Sequence, residues 1–264
     1  MTKHSKYRKF VRFIWVAFSA AIIGIVGIFG AGSAGLLGSM PDFRQLENPK
    51  TNLATQIISA DNTVLGKFYF NDNRTPISYD EIPNSMIDAL IATEDERLYS
   101  HSGIDFRGTA RALFYLGSKG GGITITQQLA RQLFTGVRSR NKLEAVVQKI
   151  KEWVIAIRLE RRYTKNEIIA MYLNIYDFNY NADGIRSASS IYFSKKPDQM
   201  SLSESAVLVG MLKNSSLYNP LRRPELVSER RNIVYQQMLS NQLIDPKEKD
   251  SLAALPIEVN FNPQ

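Results

Sequence analysis

The chain has 264 residues, enough for one substantial core with appendages, and 44% hydrophobic with 22% charged residues describes a globular protein. It has no cysteine and only two histidines, His4 and His101, which excludes disulfides, thiolate chemistry and a histidine-rich zinc site. The net charge of +8 calls for an anionic partner, and the surplus is concentrated: from Arg131 to Lys165, ten Lys/Arg stand against three Glu.

Residues 1–12 carry Lys3, Lys6, Arg8, Lys9 and Arg12 and no acid, a basic tail. Residues 13–37, FIWVAFSAAIIGIVGIFGAGSAGLL, hold no charge. As a helix they would measure about 37 Å, enough to cross a hydrocarbon core of about 30 Å with some tilt. The basic flank puts the N-terminus in the cytoplasm and the rest outside. The competing reading, a cleaved signal peptide ending near Gly32-Ser33-Ala34, needs a shorter apolar region than this one. Residues 38–54 are polar with prolines and read as a linker. Thr55–Ser59 and Thr63–Phe70 alternate around Asp61-Asn62 as a short hairpin.

From Pro83 the chain reads as helical. The apolar pattern Met86, Ile87, Leu90, Ile91 gives way to ATEDERLYSHSGID, which gathers Glu94, Asp95, His101, Gly103 and Asp105 at a helix end. An acidic helix end is ordinarily a solvated surface. Gly120–Gln128, GGGITITQQ, follows the apolar Leu113–Leu116. Its glycines admit close backbone approach, and Thr124, Gln127 and Gln128 carry donors and acceptors for sugar or phosphate oxygens, with Arg131 one turn on. Val146, Ile150, Trp153, Val154 and Ile157 form a helical stripe, with Lys149 and Glu152 at its edge. Taken alone, that pair reads as a surface salt bridge. Thr164-Lys165-Asn166-Glu167 and Ser201-Leu202-Ser203-Glu204 are capping boxes ahead of IIAMYLNIY and SAVLVGML.

Two separated carboxylates suit glycosyl chemistry, in which one group moves a proton and the other steadies charge at the anomeric centre. The cations suit a phosphorylated leaving group.

In family order, EDERLYSHSGID, GGITITQQLARQLF, QKIKE, TKNEIIAMYLN and GIRSASSIYFSK with LSESAVLVGMLKNSSLYNP resemble the motifs of the glycosyltransferase 51 peptidoglycan glycosyltransferases. That family includes the transglycosylase domain of class A penicillin-binding proteins and the monofunctional transglycosylases. The resemblance covers roughly residues 55–245. It implies a mainly α, lysozyme-like glycosyltransferase domain with a membrane-proximal small lobe, to which Leu113–Leu116 would belong, preceded by one transmembrane helix.

The reaction it implies is polymerisation of lipid II into β-1,4 glycan with inversion. Glu94 would act as base on the acceptor 4-hydroxyl, and Glu152 as the second catalytic glutamate. Lys149 and Arg131 would hold the pyrophosphate, and Thr124, Gln127, Gln128, His101 and Asp95 would line the substrate site. A divalent cation (Mg or Mn) is expected, with no organic cofactor. Expected partners are lipid II and the growing glycan strand, the inner (plasma) membrane, and proteins of the cell-wall synthesis machinery. Moenomycin, which mimics the donor, is the expected inhibitor.

The chain departs from the motifs at Leu98 (an aromatic), Ile123 (serine), Gln148 (arginine), and Asn179, Asp183, Arg186 and Ser194 (tyrosine or glycines). These support one rival, a non-catalytic membrane-anchored homologue that binds lipid II or acts as a scaffold. A lysozyme-like hydrolase needs no pyrophosphate clamp, and a nucleic-acid binder fits neither the anchor nor the outside location. Residues 246–264 read as a linker toward a further, transpeptidase domain, with a monofunctional enzyme as the alternative. Ser139-Arg140-Asn141-Lys142 matches that domain's first motif by chance, since no Lys-Thr-Gly follows.

Overall fold

A computed structural model describes residues 3–33, 35, 38, 55–61, 64–68, 74–114 and 122–263. Helix α1 (Lys3–Ser33) begins inside the basic segment and runs unbroken into the uncharged one as far as Ser33. Its stretch Tyr7–Gly32 is long and apolar enough to cross a membrane. Strands β1 (Thr55–Ile58) and β2 (Val64–Phe68) pair antiparallel from Thr55↔Phe68 to Ile58↔Val64, with an irregularity between Ile57 and Ile58. This is the expected hairpin. The apolar run Leu113–Leu116 passes out of the described residues after Phe114, as does Gly120-Gly121.

The remainder is helical. Helix α2 (Asn84–Glu94) starts after Pro83, whose φ of −64° is already that of a helix, and buries Met86, Ala89 and Leu90 completely. Helix α3 (Phe106–Phe114) follows a loop in which Arg97 Nη2 donates to Asp105 Oδ2 at 2.6 Å. Helix α4 (Ile125–Ala130) widens into a π turn at Arg131–Thr135 and meets α5 (Lys142–Arg162) and α6 (Lys165–Ile175). Beyond them come α7 (Gly184–Phe193), α8 (Leu202–Met211), α9 (Pro224–Ser240) and α10 (Pro246–Ala253).

Both expected capping boxes are formed. Glu167 N donates to Thr164 Oγ1 at 3.3 Å while Thr164 N donates to Glu167 Oε2 at 2.7 Å, and Ser201 with Glu204 repeats the exchange. Satisfying orphan amides in this way fixes where α6 and α8 begin.

The core joins α2, α4, α6, α8 and α9 through Leu90, Leu129, Leu173, Leu208 and Val234. Within it lies Arg231, with no exposed surface. Its guanidinium donates to Ser203 Oγ at 3.1 Å and to the carbonyls of Leu255 (2.6 Å) and Pro256 (3.2 Å), stitching α9 to α8 and to the segment after α10. That segment then lies along α7: Asn260 N donates to Tyr192 O at 2.9 Å, and Ser194 Oγ donates to Asn260 O at 2.8 Å. Ser194, where the motif carries glycine, adopts a left-handed φ of 53° as the residue closing α7.

Candidate active site

The α2 helix runs out at Glu94, and Asp95, at φ −158°, turns the chain away. Both oxygens of Asp95 have partners within the protein. Its Oδ2 accepts from Ile125 N at 3.0 Å, and its Oδ1 lies 3.0 Å from His101 Nε2. Gly103 N donates to His101 Nδ1 at 3.2 Å, so the neutral ring carries its proton on Nε2 and gives it to Asp95. Asp95 and His101 thus lock the loop to the first turn of α4.

Gly103 completes that lock. Its carbonyl accepts from Thr124 Oγ1 at 2.7 Å and from Gln127 Nε2 at 3.2 Å, and its φ is +93°. A Cβ there would come within 2.9 Å of the Ala156 backbone. Gly103→Ala is therefore expected to cost about 1–3 kcal/mol, read as a lowered midpoint in thermal or urea unfolding.

Thr124 caps α4 by accepting from Gln127 N at 3.2 Å. Gln127 and Gln128, successive residues about 100° apart on the helix, then point to different neighbours. Gln128 turns toward α2, and its Nε2 donates to Glu94 Oε2 at 3.0 Å. Tyr172 OH donates to Gln128 Oε1 at 3.0 Å, which fixes the amide's orientation. Burial, then the nearby Glu94 charge, pushes the Tyr172 phenol well above its ordinary pKa, so it stays a donor.

Gln127 turns toward α5. Its Oε1 accepts from Lys149 Nζ at 2.8 Å and from Trp153 Nε1 at 3.2 Å. Lys149 Nζ also meets Glu152 Oε2 at 3.1 Å, the i,i+3 pair anticipated at the stripe edge. The pair is more enclosed than a surface bridge, with side chains 31% and 10% exposed. Burial lowers the Lys149 pKa below the usual lysine value, against the opposing pull of Glu152, and Arg131 and Arg138 push it the same way as burial.

Glu94, Asp95, Thr124, Gln128 and Arg131 line one cavity of about 570 Å³, shared with Lys213 and Arg230. Lys149, Glu152, Gln127 and His101 do not line it; they lie on the α5 side of α4, with Gln127 and Gln128 as the bridge. The basic segment does not act as one patch either, since Lys165 Nζ is spent on Glu160 and on the His101 carbonyl, both at 2.7 Å.

Two residues that matter here are not among the site residues expected from the sequence. Arg230 of α9 brings Nη2 to 3.5 Å from Glu94 Oε1, its side chain 9% exposed, so both oxygens of Glu94 are held. Trp153 was read only as part of an apolar stripe. A signal for Arg230 existed: it sits with Val227, Arg231, Val234 and Met238 on the buried stripe of one helix, where an arginine needs partners.

The departures find local uses. Leu98 is fully buried in the core, and Ile123, 41% exposed, lines the cavity. Gln148 accepts from Ser139 N at 2.8 Å and donates to Val137 O at 3.2 Å, closing the loop before α5. Among the described residues no three acidic or histidine side chains gather as metal ligands, Asp95 bonds to His101 and Ile125, and Glu152 stands beside Lys149, where a divalent cation would be shared between one carboxylate and substrate phosphates.

The fold and cleft thus define a mainly α protein with a membrane-length helix and a carboxylate held at a cation-lined cavity. The profile of the Transglycosylase family matches residues 61–239, and the chain belongs to that family. Penicillin-binding protein 1A of Escherichia coli is 37% identical over 227 residues, 84% of this chain and 26% of that one. Penicillin-binding protein 1F of Bacillus subtilis is 40% identical over 183 residues, 68% of this chain and 25% of that one. The crystal structure of penicillin-binding protein 1A from Haemophilus influenzae matches with a TM-score of 0.44 at 25% identity, covering 81% of this chain and 22% of that one. The chain spans about a quarter of the length of the curated relatives it matches.

Proposed function

We propose that this domain is a membrane-anchored peptidoglycan glycosyltransferase that polymerises lipid II into β-1,4 glycan and releases undecaprenyl pyrophosphate. The observation that carries the reading is the division made by α4: Gln128 holds the carboxylate Glu94 in the cavity, and Gln127, about 100° round the helix, holds Lys149 beside Glu152. A transfer between two sugars needs a proton acceptor at the attacking hydroxyl and a cation at the departing phosphate, and the helix supports one through each glutamine.

In this reading Glu94 takes the proton of the acceptor 4-hydroxyl as that oxygen bonds to the donor's anomeric carbon. The bond from that carbon to the pyrophosphate oxygen breaks on the opposite face, giving inversion. Arg230 sits against one oxygen of Glu94, and Gln128 aims the other. Lys149 and Arg131 take up the negative charge on the departing pyrophosphate, and Glu152 orients Lys149. A buried ammonium with a lowered pKa is poorly solvated, and an arriving phosphate restores the favourable surroundings it lacks. No step is assigned to a metal.

The membrane part of the reading is supported by the length and composition of α1; the basic flank of residues 1–12 supports a cytoplasmic N-terminus with the domain outside, at the inner (plasma) membrane where a lipid-linked sugar would be met. Proteins of the cell-wall synthesis machinery remain the proposed partners.

The test is polymerisation of labelled lipid II by the full chain in detergent or bilayers, with Mg or Mn supplied, resolved on a gel. Glycan ladders are expected. Binding of lipid II with no polymer would replace this reading with that of a non-catalytic, lipid II-binding homologue.

A further inference from the structure

The membrane-length helix α1 ends against α5. Gly32 is buried there, and Phe29 stacks on the ring of Trp153, centroids 6.1 Å apart and planes 12° from parallel. Trp153 in turn gives its indole N–H to Gln127 Oε1 at 3.2 Å, and the same oxygen receives Lys149 Nζ at 2.8 Å. Gln127 has no exposed surface, and its amide nitrogen is committed to the Gly103 carbonyl at 3.2 Å. A carboxamide oxygen has two acceptor sites, and here one is filled by the indole and the other by the ammonium. An indole is rigid and donates from one edge only, so the ring plane decides where the N–H points. Phe29 packs on that plane.

We infer that Trp153 is a positioning residue for the cation pocket, and that α1 braces it through Phe29. The helix fixes the ring, the ring fixes the Gln127 carboxamide, and the carboxamide fixes Lys149. This rests on the reading of Lys149 as a holder of pyrophosphate. Its physical content is that the anchor tunes the anion end of the site and not the proton-transfer end. Glu94 is reached through Gln128, whose side-chain hydrogen bonds run to Glu94 and Tyr172, whereas Trp153 bonds to Gln127. Loosening the brace therefore weakens binding of the lipid-linked donor and leaves turnover at saturation nearly as it was.

The experiment uses the full chain in bilayer nanodiscs, with Phe29→Ala, Trp153→Phe, the double variant, and Phe18→Ala as control. Phe18 lies on the same helix, 55% exposed, and packs on Trp15. The chain has two tryptophans, so in a Trp15→Phe background fluorescence reports Trp153 alone. Phe29→Ala should shift that emission, and Phe18→Ala should not. Moenomycin affinity, and KM for lipid II, should each weaken about fivefold in Phe29→Ala and in Trp153→Phe, the worth of one neutral hydrogen bond. The double variant should lose no more than the larger single loss, because both act along one chain of contacts, and kcat should stay within about twofold of the wild type.

Unchanged emission in Phe29→Ala overturns the inference, as does shifted emission with unchanged affinity, or losses that add in the double variant. A wild type that neither binds moenomycin nor makes glycan fails at the functional reading instead, and the emission shift still reports whether α1 seats on Trp153.

Discussion

Replacing Glu94 by glutamine is expected to slow lipid II polymerisation about 10²- to 10⁴-fold, the usual contribution of a positioned general base. Glutamine has nearly the same shape and still accepts from Gln128, so the loss belongs to the proton acceptor and not to packing. What changes in the surroundings is that Arg230 loses its charged partner at 3.5 Å. The informative comparison is Asp95→Asn, one residue on. Asp95 ties Ile125 N and His101 together, and the weakened acceptor should appear first as a lowered melting temperature. Gel-resolved glycan synthesis and thermal unfolding on both variants separate the roles. A Glu94→Gln enzyme that polymerises at near-wild-type rate would remove Glu94 as the base.

The contrast between these neighbours marks how far the sequence could be read. Helix starts were legible because a capping box is a local device: Thr164 and Ser201 each need only the glutamate three residues on. The end of α2 at Glu94 was legible because the apolar stripe stops there. What a side chain meets across the fold is not local. Asp95 and Glu94 are adjacent acids, and only the approach of Ile125 turns one into a loop anchor. The divergent directions of Gln127 and Gln128 follow from helix geometry, but their partners come from α2, α5 and α6.

The π turn at Arg131–Thr135 had no compositional signal, since a shift in hydrogen-bond register leaves RQLFT looking like ordinary helix. In the sequence Asn174 is simply the last residue of TKNEIIAMYLN. In the fold its carboxamide exchanges two hydrogen bonds with the backbone of Ile77, accepting at 3.0 Å and donating at 2.8 Å, so it pins a loop ninety-seven positions earlier in the chain. Arg230 shows the opposite case, where the pattern was present and its demand for a partner went unread.

Lys149→Ala is expected to weaken moenomycin, or any pyrophosphate-bearing ligand, about 10- to 150-fold, the range of a hydrogen bond to a charged group. The pH dependence gives the sharper test. Burial holds the Lys149 pKa below the ordinary lysine value, so in the free protein the ammonium is lost at a lower pH than for an exposed lysine. An anion bound against it favours the charged form and raises the pKa again. Binding therefore takes up a proton in the window between the two values, and affinity falls as pH rises through that window.

Lys149→Arg, charged throughout, should show a flat profile over the same range whatever its absolute affinity. Stability moves the other way. The folded protein binds fewer protons at this site than the unfolded chain below the ordinary lysine value, so this group's contribution to stability rises with pH through its lowered pKa. Titrating affinity and unfolding free energy on the same wild-type and Lys149→Ala proteins should give slopes of opposite sign in the wild type, both diminished in the variant. Equal moenomycin affinity in wild type and Lys149→Ala would take Lys149 out of the phosphate site and leave Arg131 as the remaining cation proposed for the leaving group.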